Sequence, residues 1–205
     1  QADDKLTEKE KQLITASIQK FQKGEHSEGK NFIAFAKTMN DGFYVQTVKI
    51  FIKEEQDHAA VLGKFMQLHG IQKITKDPVD GIFRWLRKLA GIEGTITVLL
   101  TAEIIAMVYY KALKKATRSV ILKEICHQIL VDETMHLAFQ SDTLKVIYKN
   151  KSAVSLFVSR WMHRILMAGT IAVVWIFHFK VLKAGGYSLL RYFRETWKEF
   201  SKCEQ

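Results

Sequence analysis

A chain of 205 residues and 23.7 kDa suits one domain, or one domain with an appendage, and has room for a buried site. A single proline, against roughly ten at average usage, disfavours a proline-turned β-sandwich and suits long helices, while 48% hydrophobic and 25% charged residues exclude wholesale disorder. The net charge of +10 suits nucleic acid, an anionic membrane surface or an acidic protein partner, and residues 151–205, with nine Lys/Arg against three Glu, hold most of it.

In chain order, Thr7-Glu8-Lys9-Glu10 has the form of a capping box and opens a first helix predicted to run to about Met39. Asn40-Asp41-Gly42 supplies a turn and a cap for a second helix, which continues to His69-Gly70. From Ile71 to Gly94 the chain holds Pro78 and several glycines, so a long crossover is expected, with a short amphipathic helix from Ile82 to Leu89. A third helix from Thr95 meets a fourth near Arg118-Ser119, and the fourth ends around Asn150. Ser152 can cap a fifth helix to Lys183, Gly185-Gly186 breaks it, and a last helix runs from about Tyr187 to Ser201. Two helical hairpins joined by a long connection predict an all-α four-helix bundle over residues 7–150, and residues 151–205 add two basic, hydrophobic helices. Ile165 to Phe177, thirteen uncharged residues fenced by Arg164 and Lys180, fall short of the about twenty that span a bilayer. That stretch is expected to pack on the bundle or a homodimer partner, with a peripheral membrane contact as the alternative. Cys126 and Cys203 make no Cys-x-x-Cys pair and no disulfide framework, and the first residues show no signal-peptide pattern, so a cytoplasmic setting is expected.

Glu and His three apart on a helix share a face and can reach one metal ion. With 13 Glu and 7 His, chance gives about 0.4 Glu-x-x-His occurrences, yet there are three: Glu55/His58, Glu124/His127 and Glu133/His136. The last two lie on one helix nine residues apart, on opposite faces at about 100° per residue. Leu122, Cys126, Ile129, Leu130, Leu137 and Leu144 fall within about 60° of Glu133, so Glu133 and His136 point inward and Glu124 and His127 outward. Tyr44, Val48, Phe51, Ile52, Ala59, Leu62 and Met66 form the same stripe around Glu55. Thirty residues before each inward motif stands another glutamate in an apolar stripe, Glu25 before Glu55 and Glu103 before Glu133, and the midpoints coincide with the two turns. Folding there brings each pair to one height. Four carboxylates balance two divalent cations, and six ligands leave positions open for oxygen. Glu28, also inward, is the alternative to Glu25 as ligand.

These spacings resemble the ferritin-like di-iron carboxylate proteins over about residues 7–150. Gly24-Glu25 followed by Phe32, Phe35, Ala36 and Lys37 is similar to the first ligand helix of rubrerythrins; Glu55-Gln56-x-His58, Glu103 with Tyr110, and Asp132-Glu133-x-x-His136 are similar to helices of aldehyde-deformylating oxygenases. The resemblance implies a ferritin-like bundle holding two iron ions, or a manganese–iron pair. It also implies that Glu25 and Glu103 are terminal or bridging carboxylates, Glu55 and Glu133 bridging ones, and His58 and His136 one imidazole per metal. Glu54 and Asp132 would hold the histidine of the opposite hairpin and fix its tautomer, and Tyr110 would be either a redox tyrosine or a packed aromatic. Cys126 is expected in the core and His69 at a helix end.

The function implied is O₂ activation by an oxidase or oxygenase acting on an apolar, lipid-like or acyl substrate, free or on a carrier. Electrons would come from an external reductase or ferredoxin, since no cofactor motif is present. Peroxide detoxification or iron handling of the rubrerythrin and ferritin kind is the first alternative, and hydroxylation of modified tRNA the second. Gly29 is expected to leave space for substrate beside the first ligand helix.

Overall fold

The computed structural model describes residues 4–25, 29–89 and 91–204. These residues form eight α-helices and no strand: α1 (Glu8–Glu25), α2 (Lys30–Thr38), α3 (Gly42–Leu68), α4 (Pro78–Leu89), α5 (Gly91–Ala116), α6 (Val120–Tyr148), α7 (Ala153–Ala184) and α8 (Leu189–Cys203). The expected all-α class holds.

Caps account for most boundaries. The Glu10 N–H donates to Thr7 Oγ1 at 3.3 Å. Asp41 accepts from the Phe43 and Tyr44 N–H groups at 2.9 and 3.1 Å, and Ser152 and Ser188 cap α7 and α8 through the N–H groups of Ser155 and Arg191. Three expectations need correction. The helix predicted from Thr7 to Met39 is two helices, because Gly29, immediately before α2, takes a left-handed φ of 63° that a continuous helix forbids. The helix predicted from Ile82 starts at Pro78, since proline lacks only an N–H that the first helical turn would leave unbonded. The helix predicted from Thr95 starts at Gly91, whose φ of 61° is open to glycine.

The chain divides into two compact units, residues 1–95 with 119–125, and residues 96–118 with 126–205. In the first, α3 packs on α1 and α2, and α4 on α1. Its core includes Ile14, Ile18, Phe32, Val48, Leu62 and Met66, with Phe32 and Phe51 edge-to-face at 5.9 Å. Two polar ties fix its register: Gln22 Nε2 donates to the Ala59 carbonyl at 3.1 Å, and Lys20 pairs with Asp77 at 2.6 Å. Asp4 closes the start of α6, accepting from Ser119 Oγ at 2.5 Å and from the Val120 and Ile121 N–H groups at 2.7 and 3.2 Å. Burial alone would raise the Asp4 pKa, but these hydrogen bonds hold it below its ordinary value.

In the second unit α7 packs along α8 and along α5. Gly185 lets the end of α7 touch the backbone of α5, where an added Cβ would come within 2.4 Å of the Ala112 carbonyl oxygen. Tyr109, Tyr110, Tyr192 and Phe200 are fully buried. His163 contacts Thr101 Oγ1 at 3.1 Å and stands edge-on to Phe200 at 4.7 Å, and burial pushes its imidazole down to about 4.

Candidate metal centre

Each unit brings together two carboxylates and one imidazole. In the first, Glu25 is the last residue of α1, and Glu55 and His58 lie one turn apart on α3. One ligand atom from each lies within 4.8 Å of the others, with His58 Nδ1 at 3.6 Å from Glu55 Oε1 and 3.9 Å from Glu25 Oε2. The second triad is Glu103 on α5 with Glu133 and His136 on α6, again within 4.8 Å, with His136 Nδ1 at 3.3 Å from Glu133 Oε2 and 4.0 Å from Glu103 Oε2.

All six residues are at most 7% exposed. Their helices put them there by phase. On α3 the neighbours of Glu55 at helical spacing are Val48, Phe51, Ile52, Ala59, Leu62 and Met66, all buried; on α6, Leu122, Cys126, Ile129 and Leu144 share the face of Glu133. Two ionised carboxylates in such surroundings must be compensated. Each triad carries −2, which one divalent cation balances, and carboxylate oxygens with an imidazole nitrogen form a donor set suited to iron, manganese or zinc. The donors thus fit a metal ion, and these buried Glu/His groups could hold one.

The structure therefore brings together all six residues expected as ligands, three in each unit. The outward pair is also as expected, since Glu124 and His127 are both exposed. Glu28, the alternative to Glu25, lies outside the described residues. Glu54 and Asp132 are half-buried, and Asp132 accepts from Gln128 Nε2 at 2.9 Å. Tyr110 is fully buried, edge-on to Tyr109 at 5.2 Å. Cys126 is core, its thiol pushed up to about 12 by burial. His69 caps the end of α3 against Phe65 and is held below its ordinary pKa, first by desolvation and also by Lys11.

Gly29 contradicts its expected role. Instead of leaving space, its Cα is closely packed, and a Cβ there would sit 2.4 Å from Ile52 Cδ1. With its left-handed φ it is a hinge between α1 and α2, and a bulky side chain there would test the fold and not a substrate channel.

One residue escaped the sequence reading. Gln140, one turn after His136, is fully buried, and neither its amide oxygen nor its amide nitrogen finds a hydrogen-bond partner among the described residues. Seven residues from Glu133, it falls about 20° away on the same helix face. A polar residue in an otherwise apolar stripe was the available signal. No protein-family model, no curated protein and no solved structure matches this chain.

Proposed function

We propose that this chain is a non-haem di-iron oxidoreductase that uses O₂ on an apolar, lipid-like or acyl substrate. In this reading α1, α3, α5 and α6 form one ferritin-like four-helix bundle, and the two triads together hold two iron ions. The observation that carries it is the duplicated triad: twice two glutamates and one histidine, buried, on helices otherwise apolar on that face. A core that only needed filling would not place four carboxylates there. When bound, reduced iron supplies the electrons and open coordination positions that O₂ requires.

The chain's own residues do the rest. Glu25, Glu55, Glu103 and Glu133 neutralise the cations, and His58 and His136 supply one neutral nitrogen to each. Gln140, with an amide donor and acceptor to offer, is the residue suited to hold the polar head of an acyl substrate by hydrogen bonds. The apolar side chains flanking the triads exclude water, which protects reactive species from side reactions. An external reductase or ferredoxin delivers electrons, and the basic balance of the chain favours an acidic donor.

The test loads the protein with ferrous iron without air, counts metal per chain, then measures O₂ consumption with and without long-chain aldehydes or acids. Two ions per chain and substrate-stimulated O₂ uptake, weakened by Gln140→Leu and examined in Tyr110→Phe for a part played by the phenol, are expected. One ion or none overturns the dinuclear centre. Rapid H₂O₂ consumption indifferent to long-chain compounds moves the assignment to peroxide detoxification, and a salt-sensitive complex with tRNA moves it to RNA hydroxylation.

A further inference from the structure

Between Thr143 and Arg194 the sequence contains no Asp or Glu but nine Lys/Arg. The whole of α7 lies in this stretch, and it has two apolar faces. One is buried in its unit through Met167, Ile171, Val174 and Val181, together with His163 and His178. On the opposite side, Val158, Trp161, Ile165, Ala172, Ile176 and Phe179 fall within about 40° of a common line, and every one of them is exposed. Trp161 is 55% exposed and Ile176 64%, far from what a soluble helix leaves to water along so many turns. α7 is long and apolar enough to cross a membrane by composition alone. Its buried face shows, however, that one side already has a protein partner.

Cations frame the exposed face. Lys180 and Lys183 stand at its C-terminal end, and Arg164 flanks its N-terminal half. Arg164 is paired with Glu204 at 3.1 Å, so Lys180 and Lys183 carry the outward charge. Toward the N-terminal end of α7, Leu156, Phe157, Arg160, Trp161 and Arg164 line an open depression. Guanidinium beside indole and phenyl groups suits an anionic headgroup above an acyl chain.

We propose that α7 lies on an anionic phospholipid bilayer, with Trp161, Ile165, Ile176 and Phe179 in the acyl boundary and Lys180 and Lys183 among the headgroup phosphates. The charge pattern selects this occupant. A second copy apposed through the same face would set these cations against each other with no acidic residue on α7 to answer them, whereas anionic headgroups complement every one. A nucleic acid would meet the cations but leave the apolar face in water.

The test is sedimentation of the whole protein with vesicles of phosphatidylglycerol and phosphatidylcholine, and with vesicles of phosphatidylcholine alone, at low and high salt. Binding to the anionic vesicles, weakened by salt, is expected, together with quenching of Trp161 fluorescence by brominated acyl chains that Trp161→Phe removes. Trp161→Glu with Ile165→Glu changes only exposed positions, and helical circular dichroism checks the fold; it should weaken binding roughly a hundredfold. Neutralising Lys180 and Lys183 to Gln should weaken it about fivefold per cation. Equal affinity for neutral vesicles, undiminished binding by the glutamate pair, or a solution dimer that the glutamate pair converts to monomer overturns the proposal. Retention in membranes after alkaline carbonate extraction overturns it in favour of a spanning helix. None of these readouts depends on metal, so the bilayer assignment and the di-iron assignment fail separately.

Discussion

The two triads are alike in composition and unlike in support. Glu103 and Glu133 sit deep inside long helices, three or more turns from either end of α5 or α6, and His136 is within 3.3 Å of Glu133. Behind Glu103, the Thr101 hydroxyl meets His163. Glu25, by contrast, is the final residue of α1, where the helix presents its negative end, although its 3.9 Å to His58 matches the 4.0 Å from Glu103 to His136. A carboxylate at a helix C-terminus is disfavoured by about 0.3–1 kcal/mol, and a cation there is favoured by a similar amount. With the same residue types, one triad is therefore preformed by its helices, and the other is one that a bound metal ion would help complete.

The largest test of that contrast is metal content. His136→Ala and His58→Ala should each lose about one ion per chain, and by this account the remaining ion in His136→Ala is the more easily removed by a chelator. Equal retention in both variants would end the distinction. Next comes metal removal itself: backbone amides of residues 20–25 and 32–36 should exchange with deuterium roughly tenfold faster in the metal-free protein, and those of residues 100–107 much less. A smaller effect concerns pH. His163 titrates at about 4 in the folded protein and at about 6.5 unfolded, so between these values the unfolded chain binds the extra proton and stability falls as pH falls through that window, by up to about 3 kcal/mol. Urea midpoints at pH 7 and pH 4.5 should therefore converge in His163→Gln relative to the parent; an unchanged slope would remove His163 as the brace behind the second triad. The smallest expected effect is none: Glu124→Ala with His127→Ala should leave metal content and stability within about 0.5 kcal/mol of the parent, because both side chains face water.

Much of this was legible in the chain. Helix phase alone separated Glu133/His136 from Glu124/His127, since an apolar stripe about six turns long leaves little freedom about which face is inside. Caps at Thr7, Asp41, Ser152 and Ser188 are local events between neighbouring residues, and Thr7, Asp41 and Ser152 were identified from sequence for that reason. The break at Gly29 was not visible, because whether a glycine continues a helix or turns left-handed depends on what its Cα must pack against, here Ile52. Gln140 was missed for a related reason: its place in an apolar stripe was a signal, but full burial and the lack of partners for its amide depend on how neighbouring helices pack. Pro78 and Gly91 were read as breaks although both are tolerated in a first helical turn.

Asp4 has a consequence for the order in which the molecule assembles. Its carboxylate caps a helix that begins 116 residues later, so this contact closes one of the longest loops in the first unit. Long loops close late, because the chain entropy lost in joining distant residues is regained only once intervening helices are in place. The cap should then be absent from the folding transition state. Asp4→Ala, which removes about 1 kcal/mol of capping, would leave the refolding rate nearly unchanged and speed unfolding about fivefold, so that α6 begins to fray from its capped end.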